Sequence, residues 1–336
     1  MKIAIISPPL DVPGLKHSVK ILKKILKNIL EIKYQEIVEF TVLQGERQSF
    51  NENALKARDL TVLPELPDGF FDVAFFIETL YNNQELFKLS KKNIWIPHQE
   101  YVLPTYREPF KWLDDTWCIT AETKACLERS LFTETPLTLS GWTSVSRKTA
   151  HPKNFKKFLH LAGNSFNKGS LKVLHVWEKN PHLPTLHFIT RNPNNQAQYR
   201  PQGWPPNVKV HWLPSDDEVT ELLNTCGVHL CTSITEGFGH YINEGLSTGA
   251  IIIGTNGPPM NEFYIQPVNI DEVKKHNYAD AYFVCHNDLH MQVEKVLNLS
   301  PIEASEESHK GSHDFFRRNE NFINFVANYD FKNILA

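Results

Sequence analysis

Two glutamates eight positions apart, Glu236 and Glu244, flank a Gly237-Phe238-Gly239 turn in "TSITEGFGHYINEGLSTGAIIIGT", residues 232–255. Two turn residues without a Cβ let main chain come close to a ligand. A helix beginning near His240 presents amides that its own carbonyls cannot satisfy, at the positive end of its dipole, which suits a phosphate or a sugar hydroxyl. In the second turn of that helix, the Glu244 carboxylate can accept two hydrogen bonds from a vicinal diol such as that of a ribose, each worth about 1.5–3 kcal/mol where water is excluded. Glu236, before the turn, would point at whatever such a phosphate carries. The spacing alone has low specificity, because a chain with this much glutamate contains about one such pair by chance. The same residues also read as a plain strand-to-helix turn followed by a solvated glutamate.

Chemistry of this kind needs strands that end together and helices that begin there. "KIAIISPPLDVPGLKHSVKILKKILKNILEI" reads as an apolar strand, a Pro/Gly loop and a helix with apolar residues at Val19, Leu22, Leu26, Ile29 and Leu30. "YQEIVEFTVL", "FDVAFFIETL" with the helical "NNQELFKLS", "NIWIPHQ" and "TWCIT" with "AETKACLERSL" continue the alternation. That order predicts a doubly wound parallel sheet. "TSVSRKTAHPKN" at 143–154 interrupts it. A second series follows, with strands at "FKKFLHLAG", "TLHFIT", "NVKVHWL", "VHLCTS" and "AIIIGT" and helices at "KGSLKVLHVWEKN", "DDEVTELLNTC" and "YINEGLSTG". The expected organisation is a Rossmann-like domain over 1–150, a second over 151–315 and a Phe-rich helix over 316–336. Open α/β sheets bind ligands beyond the carboxyl ends of their strands, so a cleft between two such domains is the expected site.

The segment from "TSITEGFG" through "GTNGPPMNEF" resembles the retaining glycosyltransferases of family 4, with their Glu-Gly-Phe-Gly turn, second Glu, apolar strand and Gly-rich turn ending in Glu. "NVKVHWLPSDDEVTELLNTCGVHL" and "FLHLAGNSFNKGSLKVLHVW" resemble the preceding segments of the same family, the latter with the Lys-Gly of a diphosphate-binding loop at Lys168 and Gly169. The likeness runs from about 157 to 263 and is weak before 150. It implies the GT-B fold, two Rossmann-like lobes facing across a cleft with the nucleotide on the second lobe and no obligatory metal. It further implies that Glu244 binds ribose, that Glu236 with the Phe238 and Gly239 amides meets the transferred sugar, and that the base lies along Trp212–Ser215, Leu213 included. Gly163, Gly237 and His240 complete the implied donor surface, and the closing helix would cross back toward the first lobe.

The chain departs from that pattern at cations. The loop "AGNSFNKG" keeps Lys168 but has Asn164 roughly where the family has arginine. Arg191, in "FITRN", either replaces it or is a surface residue. In the first half His98 of "IWIPHQEY" is a candidate for touching sugar or acceptor, with Glu100 beside it, and as a loop histidine bonded to backbone it would have no such role. The first loop holds one glycine, Gly14, where relatives have a pair.

With 336 residues, 41% of them hydrophobic, the chain can fill two cores, and a net charge of −3 gives no field for gathering nucleic acid. Five irregularly placed cysteines match neither a disulfide framework nor a zinc ligand set, so a cytoplasmic setting and no metal are expected. Lys16, Lys20, Lys23, Lys24 and Lys27 line one face of the helix over 16–33, a solvated face or one drawn to anionic lipid, hence a peripheral membrane contact. The expected activity is transfer of a sugar from a nucleotide-diphosphate donor to a glycan, lipid-linked or small-molecule acceptor hydroxyl with retention, without a cofactor. A catalytically inactive nucleotide-sugar-binding protein and a GT-B epimerase are the alternatives.

Overall fold

The computed structural model describes residues 1–10, 13–35, 37–44, 66–163, 165–191 and 203–331. They form two compact units, one of residues 1–144, 276–279 and 318–336, the other of 145–275 and 280–317.

In the first unit the strands β1 (Lys2–Ser7), β2 (Glu39–Gln44), β3 (Phe71–Glu78), β4 (Ser90–Pro97), β5 (Asp115–Cys118) and β6 (Leu137–Leu139) form one sheet in the order β2-β1-β3-β4-β5-β6. All its pairings are parallel. The helices α1 (Pro13–Tyr34), α2 (Gln84–Lys88), α3 (Arg107–Phe110) and α4 (Ala121–Arg129) connect them. Strands covered on both faces must be apolar along their whole length, and β1 and β3 are buried at all but one residue each. The aromatic core stacks Phe76 on Phe87 at 4.5 Å and sets Phe110 edge-on to Phe132 at 5.1 Å.

The second unit repeats the plan. Strands β7 (Asn154–Gly163), β8 (Leu186–Thr190), β9 (Val208–Trp212), β10 (Cys226–Cys231), β11 (Ile251–Thr255) and β12 (Gln266–Val268) lie in the order β12-β11-β10-β7-β8-β9, again all parallel. Helices α5 (Ser170–Lys179), α6 (Asp216–Thr225) and α7 (His240–Ser247) serve as crossovers. A two-stranded sheet, β13 (Ile270–His276) and β14 (Ala279–Val284), precedes α8 (His286–Leu297) and α9 (Pro301–Asn328). The fold is the α/β GT-B fold.

Local chemistry sets the helix starts. Ser215 accepts from the Glu218 amide at 3.2 Å to open α6. At α9, Ser300 accepts from the Glu303 amide at 3.3 Å while Glu303 accepts from the Ser300 amide at 2.8 Å, a reciprocal capping box with Pro301 in the first helical position. The closing helix thus begins well before residue 316. Its early residues pack in the second unit, where Ser308 donates to the Gly249 carbonyl at 2.6 Å and Asp314 accepts from the Tyr264 amide at 3.2 Å. Its last residues belong to the first unit, where Phe322 lies 4.7 Å from Trp142 and Phe325 5.0 Å from Trp117.

Candidate functional site

In the second sheet the chain builds outward from β7 through β8 to β9, then returns to the other side of β7 with β10. The β7/β10 boundary is therefore the switch point, where successive connections leave in opposite directions and open a crevice beyond the strand ends. Both candidate charged groups come from it. Lys168 ends a short 3-10 turn (Phe166–Lys168) after β7, and Glu236 lies in the turn after β10.

The two loops are sewn together by backbone. Ile234 donates its amide to the Asn167 carbonyl at 2.8 Å, and Thr232 donates its hydroxyl to the Lys168 carbonyl at 3.1 Å. Gly169 makes this possible, because its φ is +66° and a Cβ there would stand 2.0 Å from the Thr232 carbonyl oxygen. Gly169→Ala should therefore lower stability by about 2–4 kcal/mol or unseat the loop. Urea denaturation checks this, and an unchanged midpoint would mean the loop is not seated on β10.

Lys168 ion-pairs with Glu236 in close contact, their side chains only 19% and 15% exposed. The ammonium also lies 3.9 Å from the centre of the Tyr241 ring. Ser233 donates its hydroxyl to Glu236 Oε1 at 2.5 Å, which leaves the Tyr241 hydroxyl as the donor in its 2.6 Å contact with Ser233 Oγ. Burial raises the Tyr241 pKa well above its ordinary value, so this hydroxyl keeps its proton. Beneath the loop, His160 is fully buried, with Nδ1 2.9 Å from the Leu230 carbonyl and Nε2 2.8 Å from Ser170 Oγ. A carbonyl can only accept, so Nδ1 carries the proton and Nε2 accepts from Ser170, the first residue of α5. Burial, reinforced by the charge of Lys168 and opposed by the Leu230 carbonyl, pulls the His160 pKa down to about 4.

Two helix amino termini, those of α5 and α7, begin at neighbouring strand ends, and the contact of Lys168 with Tyr241 brings them to one place. Gly239 caps α7 with φ +83°, and Gly237 is buried in the turn. Phe238 is buried edge-on to Phe263 at 5.4 Å and 5.3 Å from the His240 ring, so it anchors the turn with its side chain. Of the residues of α7, all but His240 and Glu244 are buried. Four positions apart, these two share the one accessible stripe of the helix.

Gly163, Arg191 and Leu213 are brought together at the adjoining strand ends. Arg191 donates its amide to the Gly163 carbonyl at 3.0 Å, and Leu213 donates its own to the Thr190 carbonyl at 3.0 Å. The Arg191 side chain is exposed. Leu213 is 62% exposed with φ +46°, a strained conformation for a branched residue. Asn164 lies outside the described residues.

Gly14 and His98 belong to the first unit. Gly14 is the second residue of α1, and His98 follows β4. His98 Nδ1 stands 3.4 Å from Glu78 Oε2, both side chains largely shielded from solvent. Glu78 was not singled out by sequence reasoning. It ends β3 with φ +66°, and the Thr79 amide reaches the Ile77 carbonyl across it at 2.8 Å, a γ-turn rarely held by a non-glycine residue. Glu100 is buried, and its carbonyl accepts from Asn277 at 3.2 Å.

No family model matches the chain, and no curated protein sequence matches it. Its structure is similar to that of a glycosyltransferase from Rickettsia africae ESF-5, with TM-score 0.68 and 14% identity over 99% of this chain and 98% of that one. It is also similar to sucrose-phosphate synthase from Thermosynechococcus elongatus, with TM-score 0.64 and 12% identity over 97% and 96%. A third similar structure is Anabaena HepE in complex with UDP and glucose, with TM-score 0.63 and 12% identity over 97% of each chain. At these identities the likeness establishes the fold.

Proposed function

We propose that this protein is a retaining glycosyltransferase of the family 4 type, moving a hexosyl group from a nucleoside-diphosphate sugar to an acceptor hydroxyl. The reading rests chiefly on the Lys168–Glu236 pair at the switch point, flanked by two helix amino termini. The acceptor oxygen forms the new bond to the anomeric carbon, the old carbon–oxygen bond breaks with its electron pair on the diphosphate, and the acceptor proton passes to that departing oxygen on the same face. Charge builds on the diphosphate, and Lys168, Arg191 and the α5 and α7 amides lower the barrier by stabilising it. Gly163, with Asn164 next to it in the sequence, is assigned to the diphosphate. Glu244 accepts from the ribose diol, Leu213 and its neighbours meet the base, and Glu236 with the Phe238 and Gly239 amides and His240 orients the sugar. His98, steered by Glu78, and Gly14 are the first unit's candidates for meeting sugar or acceptor. No metal or cofactor enters the scheme. In this reading the protein works in the cytoplasm, with the lysine face of α1 giving peripheral membrane contact where the acceptor is lipid-linked. None of the helices among the described residues is long and apolar enough to cross a membrane.

A second reading, an inactive nucleotide-sugar-binding protein, is favoured by one observation: Lys168 is already neutralised by Glu236. Incubation with a panel of nucleotide sugars and acceptors separates the readings. Transfer releases free nucleoside diphosphate and yields product with the donor's anomeric configuration by NMR. Binding without release supports the second reading, and an isomerised donor supports an epimerase. Glu244→Ala should weaken donor binding by about tenfold or more with unchanged circular dichroism, the loss of a charged hydrogen bond. Unchanged affinity would refute the ribose role.

A further inference from the structure

At the end of the second sheet remote from Lys168, three side chains converge that the transfer reaction does not use. His182 lies in the turn between α5 and β8, and His290 and Glu294 stand four apart on one face of α8. His182 Nε2 is 3.1 Å from Glu294 Oε1, and His290 Nε2 is 3.5 Å from the same oxygen. One ligand atom from each of the three residues lies within 4.8 Å of the other two. Ligand atoms held about 2.0–2.2 Å from a tetrahedral Zn²⁺ stand roughly 3.3–3.6 Å apart, so both measured separations are close to those of a filled site.

Two further observations point to a ligand. His290 Nε2 is shut off from solvent, and Glu294 Oε1 at 3.5 Å is an ion-pair neighbour that completes no hydrogen bond to it, a costly state for a polar atom that a metal–nitrogen bond would relieve. The His182 turn is also held in advance. The Asn207 side-chain amide donates to the carbonyls of Trp177, Asn180 and Leu183 at 3.3, 3.1 and 3.5 Å, and Leu183 donates its amide to the Asn180 carbonyl at 3.0 Å. His182 is 65% exposed, which leaves room for a water as fourth ligand.

We propose that His182, His290 and Glu294 form a Zn²⁺ site that clamps the α5–β8 turn to α8. Two imidazoles and one carboxylate are a donor set for Zn²⁺ rather than for Mg²⁺ or Ca²⁺, which take oxygen ligands. The ion takes the place of the proton shared by His182 and Glu294. The whole length of α5, about 15 Å, separates it from Lys168, so the clamp is independent of donor binding.

The test is titration of the chelator-stripped full chain with Zn²⁺ by calorimetry and with Co²⁺ by visible absorption, on a Cys285→Ser background that removes the half-exposed thiol beside α8. One equivalent should bind, Co²⁺ should give the intense visible bands of a four-coordinate ion, and Mg²⁺ should not compete. His182→Ala and Glu294→Gln should each weaken binding by more than about tenfold, as expected when one of three ligands is lost. His182 is exposed enough for its replacement to leave the fold intact. Absence of binding, or binding that survives both substitutions, would overturn the proposal.

Discussion

Lys168→Ala should lower nucleotide-sugar turnover by about 10²–10³-fold, the usual effect of removing one preorganised group that faces developing charge. The contact geometry makes the prediction sharper than a lost cation alone. Glu236 is 15% exposed and is held by Ser233 as well as by the lysine, so the single substitution leaves a shielded carboxylate without its counter-ion. A cost of about 1–3 kcal/mol in stability should accompany the kinetic loss. Adding Glu236→Gln to Lys168→Ala should restore most of that stability and none of the turnover, because the amide needs no counter-ion. A double-mutant cycle, with denaturation and product release measured on the same four proteins, checks both parts. Loss of turnover fully rescued by Glu236→Gln would mean that Lys168 acts only by neutralising Glu236.

A steep loss of stability between pH 6.5 and 4 is the second large effect expected. His160 and His229 are buried in the second unit with pKa values held down to about 4 and about 3. Burial is the first cause for both, and for His229 the charge of Lys153 adds to it. Each base is thus neutral when folded and titrates near 6.5 when unfolded. As pH falls below 6.5 the unfolded chain takes up the proton first, so stability falls, and the loss is complete once pH passes the folded pKa. At about 1.4 kcal/mol per unit, the two sites remove roughly 3 kcal/mol each by pH 4, together comparable with the whole stability of a domain. His187, half-buried with Nδ1 3.0 Å from His211 Nε2, is also held at about 4, by burial first, and adds a smaller share because solvent screens it. Urea midpoints measured from pH 7 to 5.5, above most of the range where carboxylates titrate, isolate the histidines. His160→Gln should flatten the slope, and an unaltered slope would remove His160 from the account.

Much of the second unit was legible in the sequence because its signals are local. The strands β10 and β11 are buried along their whole length and read as continuous apolar runs, and α7 begins at His240 because Gly239 supplies a left-handed cap. The Lys168–Glu236 contact was not legible. It joins residues 68 apart through the adjacency of β7 and β10, which strand order, not periodicity, decides. The β13–β14 pair was missed because β13 is exposed or half-exposed throughout and shows no hydrophobic alternation. The start of α9 did have a signal, the Ser300-Pro301-x-Glu303 capping box, which the Phe-rich stretch further on outweighed. Glu78 had none, since a strained γ-turn at a glutamate is imposed by its surroundings.

The central claim is that the strand ends of β7 and β10 hold the diphosphate of a nucleotide sugar. A crystal soaked with uridine or guanosine diphosphate tests it most directly. The account predicts the diphosphate against Lys168 and the α7 amino terminus, with the ribose diol on Glu244. Diphosphate bound elsewhere, or strand ends left empty at a saturating concentration of either nucleotide, would contradict it.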